Sequence, residues 1–364
     1  MNMTAEMPAS QMAGQPTAQE RAAATAMLRM ICGIHISRAI YVAAELGIAD
    51  LLAAGRMSSA ELAEATRVHE PSLYRVLRLL AALGVLAEGD RRSFGLTVLG
   101  DRLRTGVPAS MRSWAMLAEA AGGVRAFEPI AATVRTGAPG VDLAHGMGLF
   151  EYLARHPEHA ASFDAAMSER TAAFAPGVAA GHDFSGLRTV VDVGGGTGTL
   201  LAAILRAHGR LRGVLMETPA VAAAAGSALE AAGVADRSEV VAGDFFARVP
   251  EGADRYLLAN VLHDWDDDRA VAILAECRKA MADGGRVLII ERLIPDDPGQ
   301  AVPTLLSDLN MLIVTGGKER TNAEYGGLLA RAGLALHRVS PVAFPYGVIE
   351  GVRSQPRAGT RGKR

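Results

Sequence analysis

Residues 190–200 read Val190-Val191-Asp192-Val193-Gly194-Gly195-Gly196-Thr197-Gly198-Thr199-Leu200. A β-branched run passes into four glycines within five residues, then into a helix-forming stretch. Glycine adopts backbone angles closed to other residues and lets a ligand approach the main chain. The helix behind it offers unbonded N–H groups and a partial positive charge. A tight strand–helix turn is the plain alternative, but it needs fewer glycines. The stretch predicts a ligand at the carboxyl end of the first strand of an open α/β sheet.

Working outward, Glu217 closes the next strand 21 residues beyond Gly196, where an acid accepts hydrogen bonds from ribose hydroxyls. Gly243-Asp244-Phe245-Phe246 follows a third strand, with Asp244 placed to accept from an adenine amino group and Phe245 to pack on the ring. The crevice suits an adenosine with something beyond it. Two nucleotides compete. A dinucleotide fingerprint wants a third glycine where Thr199 stands. No tyrosine is followed four residues later by lysine, so a common dehydrogenase pair is absent. S-adenosylmethionine needs no phosphate cradle, and Asp192 beside the loop can help hold its ammonium, directly or through water.

Seven short runs read as strands: 189–193, 214–217, 239–241, 255–260, 287–291, 336–339 and 348–352. Helical patterns separate the first five, which predicts a mainly parallel sheet with helices on both faces. At the carboxyl end of the fourth run stands Asn260-Val261-Leu262-His263-Asp264-Trp265-Asp266-Asp267-Asp268. His263 alone among nine histidines occupies such a place, and the other eight show no partner pattern. Asp266–Asp268 read as helix caps and dipole partners. Their spacing is not that of a calcium loop, and no metal site is expected.

The N-terminal third has a different grammar. Ala26–Leu52 is apolar nearly all round, so it must be buried against something large and supports dimerisation. Ser58 to Glu61 forms a capping box, and Glu70-Pro71 opens a second helix with Leu73, Leu77 and Leu80 on one face and Gly84 as its stop. Val85–Ala87, a turn at Glu88-Gly89-Asp90 and Ser93–Leu96 complete a helix–turn–helix–hairpin, a winged-helix pattern. Between residues 20 and 105 stand 11 Arg against 9 Asp and Glu, too even a balance for tracking phosphates. Residues 109–180 read as helices whose aromatic and methionine side chains form core or line a pocket for a flat ligand. The divisions expected are a disordered leader 1–18, a winged-helix-like region 19–108, a helical region 109–180, the α/β domain 181–353 and a frayed tail 354–364.

Composition narrows the partners. A formal charge of −2 over 364 residues gives no general attraction for nucleic acid or membrane. Half the residues are apolar, enough for a sizeable core. Two cysteines, Cys32 and Cys277, are too few for a disulfide framework and fit the cytoplasm. No run of 18 apolar residues occurs, and the first 18 carry no basic residue of a signal peptide.

At VVDVGGGTGTL, GDFF, NVLHDWDDD, IIERLIPD and GGKERT, in that order, the chain resembles the S-adenosylmethionine-dependent small-molecule O-methyltransferases. The branch is that of plant caffeic-acid-type and bacterial polyketide or antibiotic enzymes. The resemblance spans about residues 20–352. It implies an α/β fold: a Rossmann-like methyltransferase domain with a mainly parallel seven-stranded sheet, beside an N-terminal winged-helix dimerisation domain. It implies S-adenosyl-L-methionine as cofactor, the phenolic or enolic hydroxyl of a small aromatic metabolite as acceptor, and an intertwined homodimer. In the family's pattern His263 is the general base, flanked by the acids Glu291 and Glu319. Asp192, Gly194, Gly196, Glu217, Asp244 and Phe245 fall on cofactor positions. Met167 and Met311 fall where the family sandwiches the aromatic ring, with Asp264 and Asn310 among the substrate positions. Two residues depart: Glu217 stands where Asp is frequent, and Ala259 where plant members carry Lys. The competing readings are a relative diverged to hydroxylation or decarboxylation, a winged-helix regulator that senses a ligand, and a nicotinamide dehydrogenase.

Overall fold

The computed structural model describes residues 16–117, 122–343 and 345–354. Most of the expected leader and nearly all of the tail lie outside these. The chain divides into two units at Gly106.

The first unit opens with α1 (Ala18–Ile31), capped by a Thr17–Glu20 box, and α2 (Gly33–Glu45), bent 45° from it at Cys32. Thr17 and Ala18, placed in the leader by sequence, thus begin a helix. The apolar run is split by this bend, and only its second half is buried: Ala39, Tyr41, Ala43, Ala44, Ile48, Ala49 and Leu52 are inside. No residue of α1 is buried, and Met27, Leu28, Met30, Ile31 and Ile34 stand exposed. Among the described residues no single helix is long and apolar enough to cross a membrane.

β1 (Met57–Ser58) leads into α3 (Ser59–Thr66), whose Ser58–Glu61 capping box forms as expected. α4 (Glu70–Ala82) carries Pro71 in its first turn and buries Leu73, Leu77 and Leu80. β2 (Leu86–Gly89) and β3 (Ser93–Leu96) pair antiparallel, and β3 also pairs with β1. The turn falls at Asp90–Arg92 rather than Glu88–Asp90, with Arg91 and Arg92 left-handed. Gly89 stays in the strand because Arg56 ties the two edges, donating at 2.9 Å to the carbonyls of Ala87 and Ser93.

The second unit begins with short helices that share a core of Ala126, Val141, Leu149 and Leu153 with Ile313 and Val314, against which Phe127, Tyr152 and Phe163 pack. Three histidines read as partnerless from sequence gather on Tyr152: His156 stacks at 3.9 Å, His145 lies at 4.6 Å and His159 Nδ1 is 3.0 Å from the phenol oxygen. α5 (Pro157–Gly181) follows. The sheet then forms from β4 (Thr189–Val193), β5 (Arg212–Glu217), β6 (Ser238–Ala242), β7 (Arg255–Ala259), β8 (Arg286–Arg292), β9 (Leu334–Ala343) and β10 (Tyr346–Arg353). Their order is β6-β5-β4-β7-β8-β10-β9, with the first five parallel and β10 antiparallel to both neighbours. Both faces are covered, so the strands are apolar on both sides: Val190 and Leu215 join one cluster with Leu200 and Ile204, while Val191 and Met216 join the other with Ile273 and Leu274. All carboxyl ends of the parallel strands lie along one edge, and the reversal between β4 and β7 opens the crevice there.

Candidate active site

The glycine loop leaves β4 in the left-handed region at Gly194 (φ 67°) and Gly196 (φ 60°). A Cβ on Gly194 would press on Val261 at 3.1 Å and Phe245 at 3.5 Å, whereas one on Gly196 would project into open space. Glycine thus leaves a cradle over the loop. Glu217, at the end of β5, accepts at 2.9 Å from Gly196 N and at 2.8 Å from Thr218 N. Each oxygen keeps a lone pair for a ribose hydroxyl. Burial raises this carboxyl, against the pull of those two N–H groups.

Asp192 sits beneath the loop and is fully buried, where a Cβ on Gly195 would come within 2.5 Å of its carboxyl. Burial, then the Glu217 charge, pushes it up to about 7. Both of its carboxylate oxygens are buried without a hydrogen-bond partner among the described residues.

After β6, Asp244 Oδ1 accepts from Phe246 N at 2.9 Å, which turns the chain and presents Phe245. Trp265 meets Phe246 edge-on at 4.9 Å and Phe245 at 6.2 Å, with the Arg269 guanidinium 4.2 Å over the indole. Trp265 and Arg269 were missed as site residues, although the tryptophan stands two residues after His263. From α5, Ser168 Oγ reaches Thr197 Oγ1 at 2.9 Å and ties that helix to the loop. An acid with spare lone pairs, an open glycine cradle and an aromatic wall fit an adenosyl group.

β7 ends at Ala259, and Asn260 beyond it turns left-handed (φ 54°) ahead of the 3-10 turn Leu262–Asp264. Asparagine tolerates this conformation better than most residues. Glu291, next to last in β8, caps the turn: its Oε1 accepts from Val261 N and Leu262 N at 3.0 Å and from His263 N at 3.4 Å. Its Oε2 is 3.5 Å from His263 Nδ1, and Glu319 Oε1 is 3.1 Å from the same nitrogen. Ser307 donates to Glu319 Oε1 at 2.7 Å, and Asp308 Oδ1 holds Glu319 N at 2.9 Å. His263 is 1 % exposed and Glu291 0 %.

The segment Gly317–Arg320 seats the histidine. Lys318 N donates to His263 O at 2.9 Å. Arg320, fully buried, donates to Leu262 O at 3.0 Å and Trp265 O at 2.8 Å and pairs with Asp267 at 2.9 Å. Gly317 lies so close that a Cβ there would fall 2.0 Å from His263 O. Of the predicted caps, Asp266 accepts from Arg269 N at 2.8 Å, while Asp267 serves this clamp instead. Gly317 and Arg320 were not foreseen.

Electrostatics follow from this packing. Burial alone would keep the imidazole neutral, but Glu291, Asp264 and Glu319 overcome it and push the ring up to about 9. Burial pushes Glu291 up to about 7. Burial works to raise Glu319, but the bond to His263, the imidazolium charge, the Ser307 hydroxyl and Arg292 together hold it below its ordinary value. With Nδ1 engaged by Glu319, Nε2 is the free nitrogen, and Asp264 Oδ1 lies 3.7 Å from it. Burial raises Asp264.

Met311 is buried one turn after Ser307 on α9, the helix Pro298–Val314 (between them in the chain, α6 is Thr199–Ala207, α7 Pro219–Ala231 and α8 Asp267–Ala280), and Asn310 shares that face. Met167 is half-buried beside Ser168. The ligand atoms of His263, Glu291 and Glu319 lie within 4.8 Å of one another, the donor set of a small cation site. The Nδ1–Glu319 bond already uses two of those atoms on each other.

An adenosyl crevice at the switch point of a seven-stranded sheet, with a buried histidine at its edge, defines a Rossmann-like methyltransferase. Family models give the narrower assignment: an O-methyltransferase domain matches residues 127–335 and an O-methyltransferase dimerisation domain matches residues 28–106. The chain belongs to the O-methyltransferase family, and its cofactor is S-adenosylmethionine. Among its relatives, phenazine O-methyltransferase PhzM of Lysobacter antibioticus is 42% identical over 324 residues, 89% of this chain and 94% of that protein. Mitomycin biosynthesis 6-O-methyltransferase of Streptomyces lavendulae is 40% identical over 336 residues, 92% of this chain and 96% of that one. The crystal structure of NcsB1, an O-methyltransferase from neocarzinostatin biosynthesis in complex with S-adenosylmethionine and 2-hydroxy-5-methyl naphthoic acid, superposes with a TM-score of 0.79 at 39% identity, covering 90% of this chain and 98% of that one.

Proposed function

We propose that this O-methyltransferase of secondary metabolism acts on the phenolic or enolic hydroxyl of a small aromatic molecule, with His263 as general base. The observation that carries this is the engagement of Nδ1 by Glu319, which leaves Nε2 as the proton acceptor. S-adenosylmethionine, when bound, supplies a methyl group already activated by its sulfonium charge. The protein's work is alignment and proton removal. A phenol of pKa about 10 keeps its proton at neutral pH, so a base assists. Glu291 and Glu319 favour the imidazolium that forms as the proton arrives.

Gly194, Gly196, Glu217, Asp244 and the Phe245–Trp265 wall hold the adenosyl end, and Asp192, whose buried carboxylate has no hydrogen-bond partner among the described residues, helps hold the cofactor's ammonium, directly or through water. Met167 and Met311 flank the acceptor ring, with Asp264 and Asn310 at its polar edge. The exposed apolar face of α1 supports a homodimer, which covers it with a second copy.

Incubation with methyl-labelled cofactor and a panel of phenols tests the reaction. Label is expected on oxygen; a hydroxylase or decarboxylase would transfer none. His263→Gln is expected to lower kcat by about 10²–10⁴-fold, with S-adenosylhomocysteine affinity unchanged. A loss below about threefold, far under the general-base range, would show that alignment alone suffices.

A further inference from the structure

We infer that Arg170 anchors the acceptor, and that the acceptor is an aromatic acid carrying a carboxylate as well as the hydroxyl to be methylated. The inference rests on the methyltransferase reading only for where the acceptor ring lies.

Arg170 sits on α5 between two fixed points. Ser168 is bonded to Thr197 in the glycine loop, and the Phe174 ring packs 4.5 Å from Tyr346. Tyr346 is the register partner of Arg292, the residue after Glu291. The helix therefore runs from the cofactor loop toward the histidine, with Met167, Arg170 and Phe174 spaced three and four apart along one face.

The guanidinium is half-buried, and its Nε is sheltered from solvent with no hydrogen-bond partner. Among the described residues no carboxylate stands within ion-pair distance of it. A sheltered N–H donor left unmet is costly, and a planar fork of N–H donors is matched best by a carboxylate.

The direction of its charge says which carboxylate. It is felt at Asp264, Glu291 and Tyr346, the histidine end of the crevice. At the adenosyl end the α5 residue that acts on Glu217 is Asp164 instead. The acceptor's carboxylate, rather than that of the cofactor's amino acid end, is the occupant. A negatively charged ring would otherwise be repelled by Asp264, Glu291 and Glu319, so Arg170 also offsets that repulsion.

The test is calorimetric titration of the full chain, saturated with S-adenosylhomocysteine, with a set of hydroxynaphthoic acids and the methyl ester of each. At least one acid is expected to bind about tenfold or more tightly than its ester, the scale of a charge-assisted bidentate contact. That preference should vanish in Arg170→Gln and return in part in Arg170→Lys, with S-adenosylhomocysteine affinity unchanged in both. Equal binding of acids and esters, no binding of any acid up to millimolar concentration, or a preference that survives Arg170→Gln overturns the inference. So does a loss of S-adenosylhomocysteine affinity in the variant, which would assign Arg170 to the cofactor. Acid preference without label transfer supports the anchor while counting against the reaction.

Discussion

His263 owes its character to neighbours that its own stretch of chain does not contain. With the ring pushed up to about 9 by Glu291, Asp264 and Glu319 against its burial, most of the enzyme is imidazolium at neutral pH. Only the neutral ring takes a proton from a phenol, so kcat/KM is expected to climb about tenfold per pH unit below that value and level near it. Glu319→Gln removes a stabilising anion. The limb should then move to lower pH while the plateau falls, as a pH profile of both proteins would show; an unmoved limb would mean that Glu319 does not set the base. Glu217 and His263 were legible in the sequence because the first ends a strand and the second follows one, each next to a readable motif. Glu291 and Glu319 were assigned by resemblance, and the structure brings both to Nδ1. Arg320 was invisible: nothing local says that a surface-type residue turns inward to satisfy Leu262 and Trp265 carbonyls 58 and 55 residues away. Arg170 was hidden for a related reason, since its meaning depends on which helix face meets the sheet.

At the level of elements, all seven strands of the large sheet were readable, the central ones because two-sided burial writes continuous apolar runs; β4 kept both its ends, and the ends of the others moved by up to four residues. Asn260 shows why ends are hard: it belongs to the strand by composition but turns left-handed to launch the histidine's 3-10 turn. The apolar run 26–52 shows the converse. Its hydrophobicity was plain, but the bend at Cys32, which leaves one half unburied, was not. The Gly317–Arg320 segment makes the sharpest prediction at this scale. Gly317→Ala places a methyl 2.0 Å from His263 O and must push the turn aside. A destabilisation of about 1–3 kcal/mol is expected from such overpacking, with loss of turnover larger than loss of S-adenosylhomocysteine affinity. Thermal unfolding and calorimetry would measure both, and a variant with normal turnover would show that the clamp is dispensable.

For the whole molecule, the exposed Met27, Leu28, Met30 and Ile31 set the expected assembly. Sedimentation equilibrium should give a mass of two chains, and replacing Met30 and Ile31 together by Asp should shift it toward one; a wild-type mass of one chain would contradict the homodimer. A different consequence follows from the clamp on the histidine. Its donors, Lys318 and Arg320, come more than fifty residues after the turn they hold, and Glu319 comes with them. During synthesis the imidazole emerges from the ribosome long before anything exists to orient it. A nascent chain halted before that point has the nucleoside crevice but no seated base, so competence for the reaction waits for residues 317–320.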